Sequence, residues 1–171
     1  MVDEAILGLS WRDSLRKVLE DIRGGKTIAI IGLGNVLRRD DGVGVYVASR
    51  LKNLLRNVSG VEVILAEDRV DYAAKELEGL KPGLIIVIDA MEFHGKPGEV
   101  RVVRLEDVEE PYAYTHRIPV KTIFKLTGIE APTYVLGIQV ASREFGEGLS
   151  EEVRAAGDEV AEFLTKILRC V

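Results

Sequence analysis

The sequence has 171 residues, of which 47% are hydrophobic and 30% charged, and a net charge of −5. These values suit one soluble globular domain with a substantial core, and without a basic cluster they argue against nucleic acid as a partner. A single cysteine, Cys170, excludes an internal disulfide and a multi-cysteine zinc site.

No apolar run approaches the roughly 20 residues needed to span a bilayer. The opening residues carry Asp3 and Glu4 and no basic stretch, which is not the pattern of a secretory signal. A cytoplasmic protein without membrane insertion is therefore expected.

Ser10 suits a helix N-cap, and Trp11, Leu15, Val18, Leu19 and Ile22 follow at helical spacing until Gly24-Gly25. The run Thr27 to Ile31 is continuously apolar and of strand length. Such a run suits a strand covered on both faces, as in parallel sheets. Gly42 to Arg56 reads as a helix with Val43, Val47, Leu51, Leu54 and Leu55 on one face. A second strand is expected over Val61 to Ala66, a helix over Tyr72 to Leu80 and a third buried strand over Leu84 to Ile88, ending at Asp89. After the turn Gly95-Lys96-Pro97-Gly98, the segment Glu99 to Arg104 largely alternates and suits a sheet edge with one wetter face. A short helix from Pro119 to Leu126, a strand from Thr133 to Val140 and a long helix from Leu149 to Leu168 complete the pattern.

Strands alternating with helices over short connections define an α/β three-layer domain. Its sheet should be mostly parallel, with one antiparallel edge-type strand. Ligand sites in such sheets lie beyond the carboxyl ends of the strands. The positions to inspect are therefore those just after Ile31, Ala66, Ile88 and Val140.

After the first strand comes Gly32-Leu33-Gly34-Asn35, and then Asp40-Asp41-Gly42-Val43-Gly44. The start is similar to a dinucleotide fingerprint, but Leu37 stands where its third glycine belongs. Asp40 and Asp41 would also repel a phosphate at the start of the next helix, a place that otherwise attracts anions. Aspartate is a favoured cap there. Capping needs one carboxylate, so the expectation is that one caps and the other faces the cleft. Asp89 follows five buried aliphatic residues, where a charge must be solvated, paired or metal-bound.

Of the two histidines, His94 lies in a polar turn and is expected to be solvated, whereas His116 precedes a helix. Two carboxylates and a histidine at one sheet edge suit a divalent ion such as zinc or nickel. They equally suit a polarised water for hydrolysis, and spacing alone does not choose between the two. Glu67 and Asp68 are expected to form a solvated loop. No G-x-S-x-G motif is present, so a serine hydrolase is not supported.

Taken together, Ile31-Gly32-Leu33-Gly34-Asn35, Asp40-Asp41-Gly42-Val43-Gly44, Leu84 to Ala90, Pro97-Gly98-Glu99, Thr115-His116-Arg117-Ile118-Pro119 and Leu136-Gly137-Ile138-Gln139 resemble the hydrogenase maturation proteases. The likeness runs from Ile28 nearly to the C-terminus. Asp41, the Thr-His-x-x-Pro run and the Gly-Ile-Gln run look most like the branch that processes hydrogenase 3 of formate hydrogenlyase and related archaeal enzymes.

The resemblance implies a five-stranded twisted sheet between helix layers. It also implies a metal-binding trio at Asp41, Asp89 and His116. The partner it implies is the large-subunit precursor of a [NiFe] hydrogenase after nickel insertion, from which a C-terminal extension is removed. Nickel would then be supplied by the substrate, and the isolated protein need hold none. The family is sometimes classed with aspartic endopeptidases, a role that here falls to Asp41 and Asp89.

Two features depart from the family pattern. Residues 1–26 form a helical extension within the single domain of 1–171, free to pack on it, to dimerise or to touch the partner. Glu67-Asp68-Arg69 stands where many relatives have Asp-Gly-Gly. The competing readings are a Rossmann-like nucleotide-binding module and a non-catalytic nickel or hydrogenase chaperone.

Overall fold

The computed structural model describes residues 8–20, 22, 26–108 and 120–170. His116 lies outside the described residues. Among them, five strands form one sheet in the order β2-β1-β3-β5-β4. The strands are β1 (Ile28–Leu33), β2 (Val61–Glu67), β3 (Leu84–Met91), β4 (Val100–Arg104) and β5 (Thr133–Gln139). All neighbouring pairs run parallel except β4 with β5. This is the expected mostly parallel sheet, with the half-wet Val100–Arg104 segment as its antiparallel edge.

The period-two alternation of side chains divides the sheet residues between two cores. Ile28, Ile30, Leu84, Ile86, Ile88, Leu136 and Ile138 pack with helices α1 (Trp11–Glu20), α2 (Val43–Leu54) and α5 (Glu151–Leu168). Ala29, Ile31, Leu33, Ile85, Val87 and Val135 pack with α3 (Val70–Leu80) and α4 (Val120–Leu126) on the opposite face. Strands β1 and β3 are covered on both faces and buried throughout, which is why their sequences read as continuous apolar runs.

The chain leaves β1 for β2 on one side and then returns past β1 to form β3 on the other. Adjacent parallel strands that lead away in opposite directions open a crevice at their carboxyl ends. In this sheet that crevice lies at β1 and β3.

Helix α1 of the amino-terminal extension packs on the domain. Ser10 caps α1 by accepting a hydrogen bond from Asp13 N at its hydroxyl oxygen (3.2 Å). Leu15, Val18 and Leu19 are buried in the first core. Trp11 meets Phe163 of α5 edge-to-face at 5.1 Å between ring centroids, and Arg12 pairs with Glu159 of α5 at 2.7 Å. Leu15 is fully buried, so Leu15→Ala should cost about 2–5 kcal/mol of unfolding free energy, measured by chemical denaturation. A loss under about 1 kcal/mol, typical of a surface change, would show that α1 is not integral to the core.

Candidate active site

Three segments build the crevice, and glycines set their distance. Gly34 ends β1 at φ +129°, and a Cβ on it would fall 1.8 Å from the Asp41 carbonyl oxygen. A Cβ on Gly44, in the first turn of α2, would fall 2.1 Å from the Ile88 carbonyl oxygen and 2.3 Å from that of Leu33. No side chain larger than hydrogen fits at either place. The start of α2 can therefore rest directly on the ends of β1 and β3, which brings Asp41 to the residues around Asp89. Gly34, one of the two glycines that fit the start of a dinucleotide fingerprint, thus serves the close approach of the Asp41 backbone.

Neither aspartate caps α2. The N-cap position is Gly42, and no side chain caps it. Asp40 instead accepts hydrogen bonds from the distant loop between β5 and α5: from Ala141 N (2.9 Å), Ser142 N (3.0 Å), Ser150 N (2.6 Å) and the Ser150 hydroxyl (2.8 Å). The backbone links the same loops, with Arg39 N donating to Gly146 O and Gly146 N to Leu37 O. Because β3 lies between β1 and β5, these two loops meet across the end of β3. Burial pushes the Asp40 carboxyl up, but the donors from Ser150, Ser142 and Ala141 outweigh it and hold it below its ordinary value.

Asp41 is the second member of the pair, and it faces the crevice. Its Oδ2 accepts a hydrogen bond from Asn35 N at 3.0 Å. Its Oδ1 is buried and, among the described residues, receives no hydrogen bond. The nearest cation is Arg143, whose Nε lies 3.7 Å from that oxygen.

Asp89 does not terminate its strand as expected. Strand β3 runs on to Met91, and Asp89 pairs in register with Gly137 of β5. The carboxylate lies inside the strand and is fully buried. Its Oδ1 accepts from Ala90 N at 2.8 Å. Arg143 reaches the same place, with Nη2 3.5 Å from Ala90 O.

Beyond Asp89, Gln139 organises the following turn. Its Oε1 accepts from Phe93 N and Gly95 N, and its Nε2 donates to Glu92 Oε1 at 2.7 Å. That donor is the main reason the Glu92 carboxyl sits below its ordinary value. His94 is exposed, as expected. Glu67 and Asp68 are exposed too, and the loop contributes through its backbone, with Glu67 O accepting from Gly34 N. Among the described residues no cluster of three His, Cys, Asp or Glu side chains able to hold a metal is found. A cavity of about 750 Å³ opens elsewhere, near the start of β1 and β2, lined by residues such as Arg16, Lys26, Val61 and Lys166, and includes none of the carboxylates above.

Reading the sequence missed Arg143 and the role of Asp40. A cation in the loop directly after β5, one of the positions singled out for inspection, was the available signal for Arg143. Nothing local to Asp40 marks it as the partner of Ser150, 110 residues away.

Comparison with known proteins gives this architecture a family. A family model described as hydrogenase maturation protease matches residues 45–167. A Methanocaldococcus jannaschii protein named for the same family is 30% identical over 159 residues, covering 88% of this chain and 94% of that one. The crystal structure of the [NiFe] hydrogenase maturation protease HycI from Thermococcus kodakarensis superposes with a TM-score of 0.76 at 30% identity, covering 89% of this chain and 99% of that one. The maturating endopeptidase HybD from Escherichia coli shares the fold, with a TM-score of 0.66 at 22% identity over 84% of this chain and 92% of its own. The chain belongs to the hydrogenase maturation protease family and is by that membership a hydrolase. The family-model match begins after Asp41. Among the described residues, no helix is long and apolar enough to cross a membrane.

The Asp40 clamp predicts a pH dependence. A carboxyl held below its unfolded value contributes stability that is complete above that value, ordinarily 3.8, and is lost as pH falls through the folded value. Asp40→Asn should reduce unfolding free energy by about 2 kcal/mol at pH 7, the scale of hydrogen bonds to a charged group. The difference from wild type should shrink as pH drops below the ordinary carboxyl value. Denaturant titrations at pH 7 and pH 3 check this, and an equal deficit at both would show that ionised Asp40 is not the clamp.

Proposed function

We propose that this protein is the endopeptidase that removes a C-terminal extension from the nickel-loaded large-subunit precursor of a [NiFe] hydrogenase. In this reading Asp41, Asp89 and His116 recognise the nickel, which arrives with the substrate. The reaction is hydrolysis of one peptide bond, with one water consumed and a new carboxylate and amine released. Asp41 and Asp89 are the carboxylates assigned to hold and polarise that water, in keeping with an aspartic-type enzyme. The protein acts in the cytoplasm, and the motifs around Asp41, His116 and Gln139 favour the hydrogenase 3 branch.

The observation that carries this reading is Oδ1 of Asp41. A buried acceptor left without a hydrogen bond costs about 1–3 kcal/mol, and such an atom calls for a reason. It lies at the β1/β3 crevice, where α/β sheets place their ligands, and β3 carries a second buried carboxylate, Asp89. Two carboxylates and an imidazole form a donor set suited to a borderline divalent ion. Family membership supplies the substrate class.

Substituting Asp41 by Asn keeps the shape and the second oxygen but removes the charge. Processing of a nickel-loaded precursor, followed by mass spectrometry of its C-terminus, should fall by about 100-fold or more, the scale of a lost general acid–base group. Processing at the wild-type rate would refute the assignment of Asp41.

A further inference from the structure

We propose that Arg143 is the resident counter-ion of the crevice. Its guanidinium holds the place beside Asp41 that the substrate's metal centre takes on docking, and it must move off that carboxylate for docking to complete. This inference rests on the reading of Asp41 as a ligand to the precursor's nickel.

Two orphaned atoms face each other. Oδ1 of Asp41 and Nε of Arg143 are both buried, and among the described residues neither has a hydrogen-bond partner. They are 3.7 Å apart, beyond the 2.7–3.2 Å of a hydrogen bond but close enough for strong attraction in a poorly solvated site. Arginine and carboxylate commonly form a bidentate fork. Here the charges compensate each other without that lock, so Oδ1 keeps a free acceptor position while its charge is balanced.

The rest of the guanidinium is held as loosely. Nη2 reaches Ala90 O at a long 3.5 Å, and Glu92 feels the positive charge without a direct bond to it. The side chain is 24% exposed, against 3% for Asp41, so it has a path toward solvent. The backbone that carries it is firm, because Asp40 ties down Ala141, Ser142 and Ser150 on either side. The side chain can swing while the loop stays in place.

The consequence is selectivity. A cation always charged at physiological pH competes with any free divalent ion for Asp41. A stray metal ion has only its own affinity with which to displace Arg143. A nickel centre carried on the precursor adds the binding free energy of the protein surface around it. The counter-ion thus favours a metal presented by the partner over a metal from solution.

The test is titration of nickel(II) chloride into the metal-free protein by calorimetry. The proteins compared are wild type, Arg143→Gln, Arg143→Met, Arg143→Lys, and Arg143→Gln combined with Asp41→Asn. Both neutral variants should bind nickel about tenfold or more tightly than wild type, as removal of a unit charge next to the ligand requires. Arg143→Lys should stay near wild type, and Asp41→Asn should abolish the gain. Two neutral variants guard against one that fails to fold. Affinity unchanged in the neutral variants, or a gain that survives Asp41→Asn, overturns the inference. The processing assay separates this outcome from failure of the functional reading. Asp41-dependent processing without any nickel gain removes only the counter-ion role. An Asp41-dependent nickel gain in a protein that processes no precursor keeps the counter-ion and removes the peptidase reading.

Discussion

A single buried carboxylate, that of Asp40, holds together two loops that the sheet itself keeps apart. Strands β1 and β5 are separated by β3, so the loops that follow them would diverge without a link. Three backbone amides and one hydroxyl from residues 141–150 converge on Asp40. The resulting bridge crosses the end of β3 and fixes the loop that carries Arg143. Charge-assisted hydrogen bonds to backbone amides are among the stronger ones available to a side chain. Asp40 therefore has its acceptor oxygens filled, and its neighbour Asp41 is left with an unfilled oxygen. Adjacent residues of the same type thus differ: Asp40 is fully hydrogen-bonded, and Asp41 keeps an open acceptor.

The second constraint is distance. Gly34 and Gly44 sit where a Cβ would collide with backbone carbonyls of Asp41, Leu33 and Ile88. These contacts let the first turn of α2 lie against the ends of β1 and β3. A doubly wound sheet offers a crevice at its switch point to whatever its loops carry. In this chain the loops bring the buried carboxylate of Asp41 there, with the guanidinium of Arg143 beside it, which suits a cationic centre. The same glycine spacing on another sheet can serve a pyrophosphate, so the chemistry comes from the residues that follow the glycines and not from the glycines alone.

Much of this was legible in the sequence. Continuous apolar runs marked β1 and β3 because both faces of those strands are covered, and the mixed pattern of Val100–Arg104 marked the edge. The carboxyl ends of the parallel strands are the place to inspect, and by sequence Asp41 and Asp89 follow or end two of those strands; the switch point itself comes from the strand order. Other features were not legible for physical reasons. Asp89 reads as a strand terminus because a buried charge inside a strand is costly, yet β3 continues through it to Met91. Asp40 read as a possible helix cap because caps are local, whereas its donors come from the other end of the chain. Arg143 lay in an unremarkable loop, and its meaning depends on a single unfilled oxygen 3.7 Å away. The described residues do not include His116, whose assignment rests on the sequence motif.

The account ties a recognisable family fold to one chemical claim, that the crevice reads a metal centre before the peptide bond is cut. The most direct test mixes the protein with nickel-loaded and nickel-free forms of a hydrogenase large-subunit precursor and follows the mass of the C-terminus. The account predicts loss of a short C-terminal peptide from the nickel-loaded form alone. Equal cleavage of both forms would contradict metal recognition, and a stable complex with no loss of mass in either would contradict the peptidase itself.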